Sequence, residues 1–548
     1  MLRRKLVAVL AVFAAVGLTL SACSQPPGEE GKDASQTEED ASAEDGSVDP
    51  DTGVADDDTS SDQDAAAPDT GMACQGCVDD KYKVEAKTCD SGNPPDRCSE
   101  KPEEYSMWGP GSVITSMELT SDEAKDCCFN IDGSPDGSND NALAQLLGFI
   151  PDTDIDGEIK KSLAGGDFIL LNEHDGLSDL SSGKDYNLNF YLGEFGDKDA
   201  QSYIEQKDPM CDIEKDPSKC DLKSASGKNF LINAESFDKG THPQAQVSPA
   251  AIANSKDLNA GPGKVVINLT LPGIGNLGLV INGATIEAEV VKGESDVTSG
   301  GDGVVMKKGK LGGYVLMKDV IGLVNDLFEN CDCLENPKMA ITYPNTDPMD
   351  PDLKPNKCLD EDNEPKEGEC EVACSMDVNN KASMCSGAGG LCEQAGTVCG
   401  FVGAFTNTAD LDVDGDGQLD AVSIGALFEA TGAKIQGIAN YIKVEDQTVS
   451  KKTEVNIPAA YVNSDAWVVI HEDDMGNVGN VIGQAQLSPG WNKDVTVTVN
   501  RDLTDGETLH GMLHTDAGTK GTYESGMDTP IKDGLGDVRV EAFDVTVN

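Results

Sequence analysis

The chain has 548 residues, of which 98 are Asp or Glu and 41 are Lys or Arg, giving a formal net charge of −57. At roughly 150 residues per domain this length predicts three or four units. A surface this negative repels phosphate backbones and excludes nucleic acid as a partner.

The N-terminus predicts export. Arg3, Arg4 and Lys5 precede an apolar run from Leu6 to Leu20 that closes on Ser21, Ala22 and Cys23. The run is too short for a membrane span and ends on small residues, so 1–22 reads as a signal peptide. The sequence Leu20-Ser21-Ala22-Cys23 resembles the lipobox of bacterial lipoproteins. That resemblance implies acylation of Cys23, membrane attachment through the N-terminal lipid and, with Ser24 following, the outer membrane or cell surface. Each buried acyl CH₂ contributes about 0.8 kcal/mol to such an anchor. Residues 23–73 carry Glu29, Glu30, Asp33, Glu38, Glu39, Asp40, Glu44, Asp45 and Asp56 to Asp58 among small polar residues. Without apolar surface to offset ordering entropy, this stretch is expected to be a disordered acidic tether. About 50 such residues span about 40 Å or more.

With Cys23 set aside, 17 − 1 = 16 cysteines remain. They fall into even groups: Cys74, Cys77, Cys89, Cys98, Cys127 and Cys128; Cys211 and Cys220; and eight from Cys331 to Cys399. An exported chain predicts disulfides, with Cys211–Cys220 the readiest single pair. The spacing of Cys74, Cys77, Cys89 and Cys98 could also ligate zinc, although no His stands nearby. The small segment 74–105 is cysteine-rich in its own right.

Two acidic loops align without gaps. The first holds Asn130, Asp132, Ser134, Asp136, Gly137 and Asp140, within a β-rich domain expected over 106–330. The second holds Asp410, Asp412, Asp414, Asp416, Gly417 and Asp420, within a Cys-rich and β segment over 331–454. Oxygens at alternate positions with a Gly for the sharp turn suit Ca²⁺, which takes 6–8 oxygen ligands at about 2.3–2.6 Å. Both loops depart from the EF-hand, because position 12 is Leu143 in one and Ser423 in the other, not Glu. Structural calcium sites are therefore expected, the alternative being acidic turns that cap helices. A third near-match, Asp152, Asp154, Asp156 and Gly157, has Lys160 where the later Asp should be and reads as a helix N-cap.

Alternation of Leu188, Phe190 and Leu192, and of Ile286, Ala288 and Val290 with Glu287 and Glu289, predicts half-buried strands. Val265–Leu271 and Leu277–Ile281 read as two more around Pro272-Gly273, and a helix is expected after Asp319, through Val320 to Leu327. Glu173, His174 and Asp175 read as a loop. The residues Ser112 to Ile114, Cys128 to Asp132, Asp140 to Leu143, Asp167 to Leu171 and Gly309 to Gly313 resemble a family of uncharacterised lipoproteins of myxobacterial-type Gram-negative bacteria, over about 110–335. No activity comes with that resemblance.

Residues 455–548 predict a β-sandwich, with strands at Trp467–His471, Asp494–Val499, Thr508–His514 and Val538–Val547. The last changes phase between Ala542 and Phe543, which predicts a bulge. The sequences Trp467 to Asp473, Val481 to Gly483, Met512 to Asp516 and Gly521 to Glu524 resemble an uncharacterised domain of surface proteins from halophilic archaea and bacteria. His510, Met512 and His514 alternate onto one strand face and His471 ends another strand. These histidines could hold copper or zinc, or simply bond to nearby loops.

The whole reads as a mainly β, multidomain chain with β-sandwich-like domains, few helices, disulfide-rich segments and an acidic tether. No Gly-x-Ser-x-Gly elbow, His-Glu-x-x-His helix or phosphate-cradling loop is present. The expected function is therefore non-catalytic: binding, adhesion or envelope structure at the surface, with a protein or glycan partner that the sequence does not name. The alternatives are a metal-scavenging or sensory lipoprotein, or a secreted hydrolase.

Overall fold

The computed structural model describes residues 76–83, 108–135, 137–148, 154–166, 168–181, 185–204, 225–238, 242–271, 275–294, 301–319, 408–547 and a few isolated positions. Cys23 with its leader and tether, Cys74, Cys89, Cys98, Cys211, Cys220, the cysteines from 331 to 399, Asp136 and the helix expected after Asp319 lie outside these residues. The mainly β, multisheet architecture expected from sequence is present.

The larger sheet is built from β1 (Gly111–Glu118), β2 (Leu170–Asp175), β3 (Tyr186–Phe195), β4 (Asn229–Ile232), β5 (Ala245–Ala253), β6 (Asp257–Leu271), β7 (Gly275–Lys292), β8 (Val304–Leu316) and β9 (Ala421–Ile438). Its ladders run β1–β2–β3–β5–β6–β7–β8–β9, and β9 pairs back onto β1, so the sheet closes on itself. The short β4 bridges the ends of β3 and β9, antiparallel to the first and parallel to the second. Closure removes the exposed edges that an open sheet would present to other chains. Alternation fixes the faces: Ile286, Ala288 and Val290 are buried, while Glu289 reaches outward to Lys308 at 2.8 Å. A continuous apolar cluster includes Ile114, Leu170, Leu188, Phe230, Val247, Ile281, Ile424 and Phe428, each fully buried side chain contributing about 1.5–3 kcal/mol.

β9 is the informative strand. It falls within the segment 331–454 expected from sequence, yet it lies between β1 and β8, with Gly111↔Ala433 on one side and Leu311↔Ala426 on the other. A boundary at 330 would therefore cut two ladders of the barrel. Of the helices, α1 (Asp122–Lys125), α2 (Ala142–Gly148) and α3 (Ile155–Gly165), the last carries the predicted cap: Asp154 accepts from Gly157 N at 2.9 Å. Ile155, Ile159 and Leu163 of α3 join the barrel's apolar cluster.

The C-terminal unit has two sheets. One contains β10 (Tyr441–Lys443), β12 (Glu454–Val462) and β15 (Gly490–Thr498). The other runs β11 (Gln447–Val449), β17 (Val540–Val547), β16 (Glu507–Thr515), β13 (Ala466–Asp473) and β14 (Val478–Leu487). Ile457, Val468, Ile470, Leu509, Leu513 and Phe543 fill the space between them. The unit begins before 455, because β10 and β11 pair with β12 and β17. The bulge expected in the last strand is absent: Met512↔Val540, His510↔Ala542 and Leu509↔Phe543 form an unbroken register. The phase change has another cause. Val540 and Ala542 face outward and Phe543 and Val545 inward, so both faces of this strand carry apolar residues. Tyr461 packs into the barrel's cluster, Trp491 stands edge-on to it at 5.7 Å, and Arg539 pairs with Glu194 of β3.

Candidate metal centres

The two acidic loops sit side by side at one end of the barrel. The segment Gly76–Asp79 threads between them: Val78 N donates to Asp412 O (3.0 Å), Asp412 N to Gly76 O (2.8 Å) and Asp79 N to Ile131 O (2.8 Å). Beneath lies a small core of Val78, Tyr82, Ile131, Tyr314, Leu411 and Ala421. Close approach depends on glycines of the barrel wall. A Cβ on Gly312 would come within 2.4 Å of the Phe129 ring, and one on Gly425 within 2.5 Å of Cys127 O. Cys127 and Cys128, bonded to each other, are buried at this contact.

In the second loop Asp412, Asp414 and Asp416 each place a carboxylate oxygen within 4.8 Å of the other two. Asp412 is buried and accepts from Gly415 N (2.7 Å) and Gly417 N (2.8 Å), while Asp414 and Asp416 are exposed. Gly417 has φ +90°, the left-handed turn that aims its amide inward. The other two candidates point elsewhere. Asp420 accepts from Val413 N at 2.9 Å and closes the loop on itself. Asp410 accepts from Ser423 N at 2.8 Å and from the Ser423 hydroxyl. Burial, assisted by the nearby Asp140 charge, pushes the Asp410 carboxyl up to about 6. Ser423, the residue at the EF-hand's Glu position, thus serves Asp410 and also accepts from Ala142 N at 2.8 Å.

The first loop repeats the clasp. Asp140 accepts from Ile131 N (2.6 Å) and Asp132 N (3.1 Å), Asp132 accepts from Ser134 N (2.8 Å), and Asn130 Nδ2 donates to Ser134 O (2.9 Å). Among the described residues it brings no three carboxylates together, and Asp136 lies outside that description. Asn141 ties the two loops to one wall, donating to Ala124 O and Gly425 O and accepting from Gly425 N.

Glu173, His174 and Asp175 are not a loop. They form the end of β2, buried in the barrel wall. Glu173 accepts from Gly109 N (2.8 Å), Asn189 Nδ2 (3.1 Å) and Tyr191 OH (2.8 Å). Ser112 Oγ donates to Val304 O at 2.6 Å, so it must accept from His174 Nε2–H at 3.1 Å. His174 Nδ1 is then bare and accepts from Tyr186 OH at 3.1 Å. Desolvation holds this imidazole down at about 3, so it stays neutral. Sequence alone does not reveal this network, because alternation inside a two-sided buried wall places polar residues where a one-sided strand would be wet.

The outer face of the sandwich carries the histidines. Cross-strand pairing sets His471 opposite His510, Val469 opposite Met512 and Trp467 opposite His514. His510 is committed to Asp473, with Nε2 2.9 Å from its Oδ1. His471 and His514 are different: their rings lie 5.8 Å apart at 31°, both are buried, and Met512 between them is buried too. His471 Nδ1 bonds Gly479 O at 2.9 Å and His514 Nδ1 bonds Asp528 O at 2.8 Å. Burial lowers the pKa of both. The loop after β16 covers the patch: Tyr523 stacks edge-on against Trp467, and Asp528 pins the loop by accepting from Ala517 N, Gly518 N and Glu524 N.

Residues 440–546, which span this sandwich, match the family model of a domain of unknown function (DUF7282). No curated protein and no solved structure matches the chain.

Proposed function

We propose that the chain is an exported, lipid-anchored protein of the outer membrane or cell surface, non-catalytic, whose barrel is stabilised by Ca²⁺ at the second acidic loop. The observation that carries the calcium reading is the convergence of Asp412, Asp414 and Asp416 on a loop seated against the barrel wall. A hard cation there relieves the repulsion among these carboxylates and draws on oxygens the flexible loop can supply. The lipobox-like Cys23 and the acidic tether support an anchored module held off the membrane. The resemblance of the sandwich to domains of halophilic surface proteins supports a surface setting in salty water. A hydrolase reading finds little support in the Ser112–His174 pair: the hydroxyl proton is given to a carbonyl and both groups are sealed from solvent.

Thermal melting of the folded part with and without millimolar Ca²⁺ tests the reading. Ligand at 100 times its dissociation constant adds about 2.7 kcal/mol, or about 5–10 °C for a unit of this size. Asp412→Ala with Asp416→Ala should remove most of that shift, Asp132→Ala with Asp136→Ala much less, and Mg²⁺ should substitute poorly because it dehydrates reluctantly. A melting curve unmoved by chelator, with no heat of Ca²⁺ binding, would rule the site out. Detergent partition of wild type, set against Cys23→Ser, tests the anchor separately.

A further inference from the structure

We propose that the outer face of the sandwich is a binding site for a soft monovalent cation, Cu(I), held by His471 Nε2, His514 Nε2 and the Met512 thioether. The argument begins with protons. A neutral imidazole has one N–H. His471 gives it to Gly479 O and His514 gives it to Asp528 O, since a carbonyl oxygen can only accept. Tyr523 OH, at 3.5 Å from His514 Nδ1, is too far to displace that bond. Both Nε2 atoms are therefore bare lone pairs. His471 Nε2 is buried with no hydrogen-bond partner. His514 Nε2 faces Met512 Sδ at 3.2 Å, and a thioether has no proton to offer. Three acceptors thus share a buried patch where no side chain donates to the Nε2 of His471 or, in this tautomer, to that of His514.

A buried polar atom without a partner costs free energy, and one cation that accepts all three lone pairs relieves it. With metal–nitrogen bonds of about 2.0 Å, two imidazoles sharing an ion have ring centroids up to about 6 Å apart, which the 5.8 Å separation satisfies. The backbone carbonyls on both Nδ1 atoms are the outer-shell partners that fix ring orientation in metal-binding histidines. The donor set narrows the ion: thioether and neutral imidazole, with no carboxylate in the set, disfavour the hard ions Ca²⁺ and Mg²⁺, and three uncharged donors in a buried patch suit a monovalent ion, Cu(I), better than divalent Zn²⁺. His510 stays outside, held by Asp473. This site is independent of the acidic loops, so calcium binding and copper binding can fail separately.

The test uses the full chain in detergent with free thiols alkylated, because the chain has 17 cysteines. Anaerobic competition with a chromogenic Cu(I) chelator should find one equivalent more in wild type than in His471→Phe, and at least about a tenfold weaker hold in Met512→Leu. His510→Phe should retain the wild-type equivalent. X-ray absorption of the loaded protein should show two nitrogens and one sulfur, and copper should quench Trp467 emission, a signal lost in Trp467→Phe. Equal copper retention by wild type, His471→Phe and Met512→Leu, each with an unchanged melting curve, overturns the proposal. So does Zn²⁺ binding at the same affinity that ignores Met512.

Discussion

The barrel and the sandwich bury titratable side chains in opposite ways. In the barrel wall Glu173 and His174 have a partner on every functional atom. On the sandwich face His471 and His514 each use one nitrogen to set the ring and leave the other with no donor. Saturation locks a structure; an oriented, unused lone pair is available to a ligand. Even the two candidate metal centres differ in this respect. The calcium loop offers charge near water, and the His–Met patch offers neutral, polarisable donors away from it.

Breaking a saturated site should have the largest effect. Glu173→Ala leaves Gly109 N, Asn189 Nδ2 and Tyr191 OH in the wall without their acceptor. Stranded buried donors cost about 1–3 kcal/mol each, so the barrel should lose at least about 3 kcal/mol in denaturant unfolding. A cost under about 1 kcal/mol would show that the wall is not the rigid half of the comparison.

Acid should act on the same wall through His174. Its folded pKa, about 3, lies below the ordinary value of 6.5. The unfolded chain therefore takes up the proton first as pH falls. The stability that neutral His174 contributes is complete above about pH 6.5 and declines towards pH 3, by about 1.4 kcal/mol per pH unit. His174→Gln should flatten that slope in a pH series of unfolding free energies. A slope unchanged by the substitution would assign the acid response elsewhere.

Asp410 should act with the opposite sign. Its carboxyl is raised from 3.8 to about 6 by burial, so the folded state holds the proton more tightly. Its contribution favours folding below about pH 3.8 and is lost as pH rises through about 6, a swing of about 3 kcal/mol. Asp410→Asn, which keeps an oxygen for Ser423 N, should remove this swing and leave the barrel more stable at pH 7. Differential scanning calorimetry at pH 4.5 and pH 7 reads it directly, and an Asn variant that melts lower than wild type at pH 7 would refute the burial argument.

Much of the architecture was legible because period-two alternation is a strong local signal: β3 and β7 lie where it placed them, although the polar face of β3, with Asn187 and Asn189, is buried too. What was not legible was long-range. Nothing local in Ala421–Ile438 says that its partners are Gly111–Glu118 and Val304–Leu316, far earlier in the chain. The acidic loops could be read from spacing, but the division of labour within them could not. Asp410 and Asp420 have the same chemistry as Asp412, and only the fold gives Asp410 to Ser423 and Asp420 to Val413 N. The His471, His510, His514 set was legible as a face. Which member drops out depends on Asp473, and the sulfur that replaces it was visible in the alternation of His510, Met512 and His514.

The smallest expected effect is the sharpest check on the comparison. Without metal, Met512 Sδ makes no hydrogen bond in which it receives a proton, since His514 gives its own to Asp528 O. Leu matches Met closely in volume, and such swaps cost under about 1.5 kcal/mol. Met512→Leu should therefore leave the metal-free sandwich within about 1 kcal/mol of wild type. The saturated wall predicts the reverse for Tyr191→Phe, which deletes one of the two hydrogen bonds on Glu173 Oε2 and should cost about 1–3 kcal/mol. Paired urea titrations of the two variants, following the sandwich and barrel transitions, compare the regions directly. If Met512→Leu proved as damaging as Tyr191→Phe, His514 Nε2 would carry the proton, the sulfur would be a structural acceptor, and the patch would be as saturated as the wall.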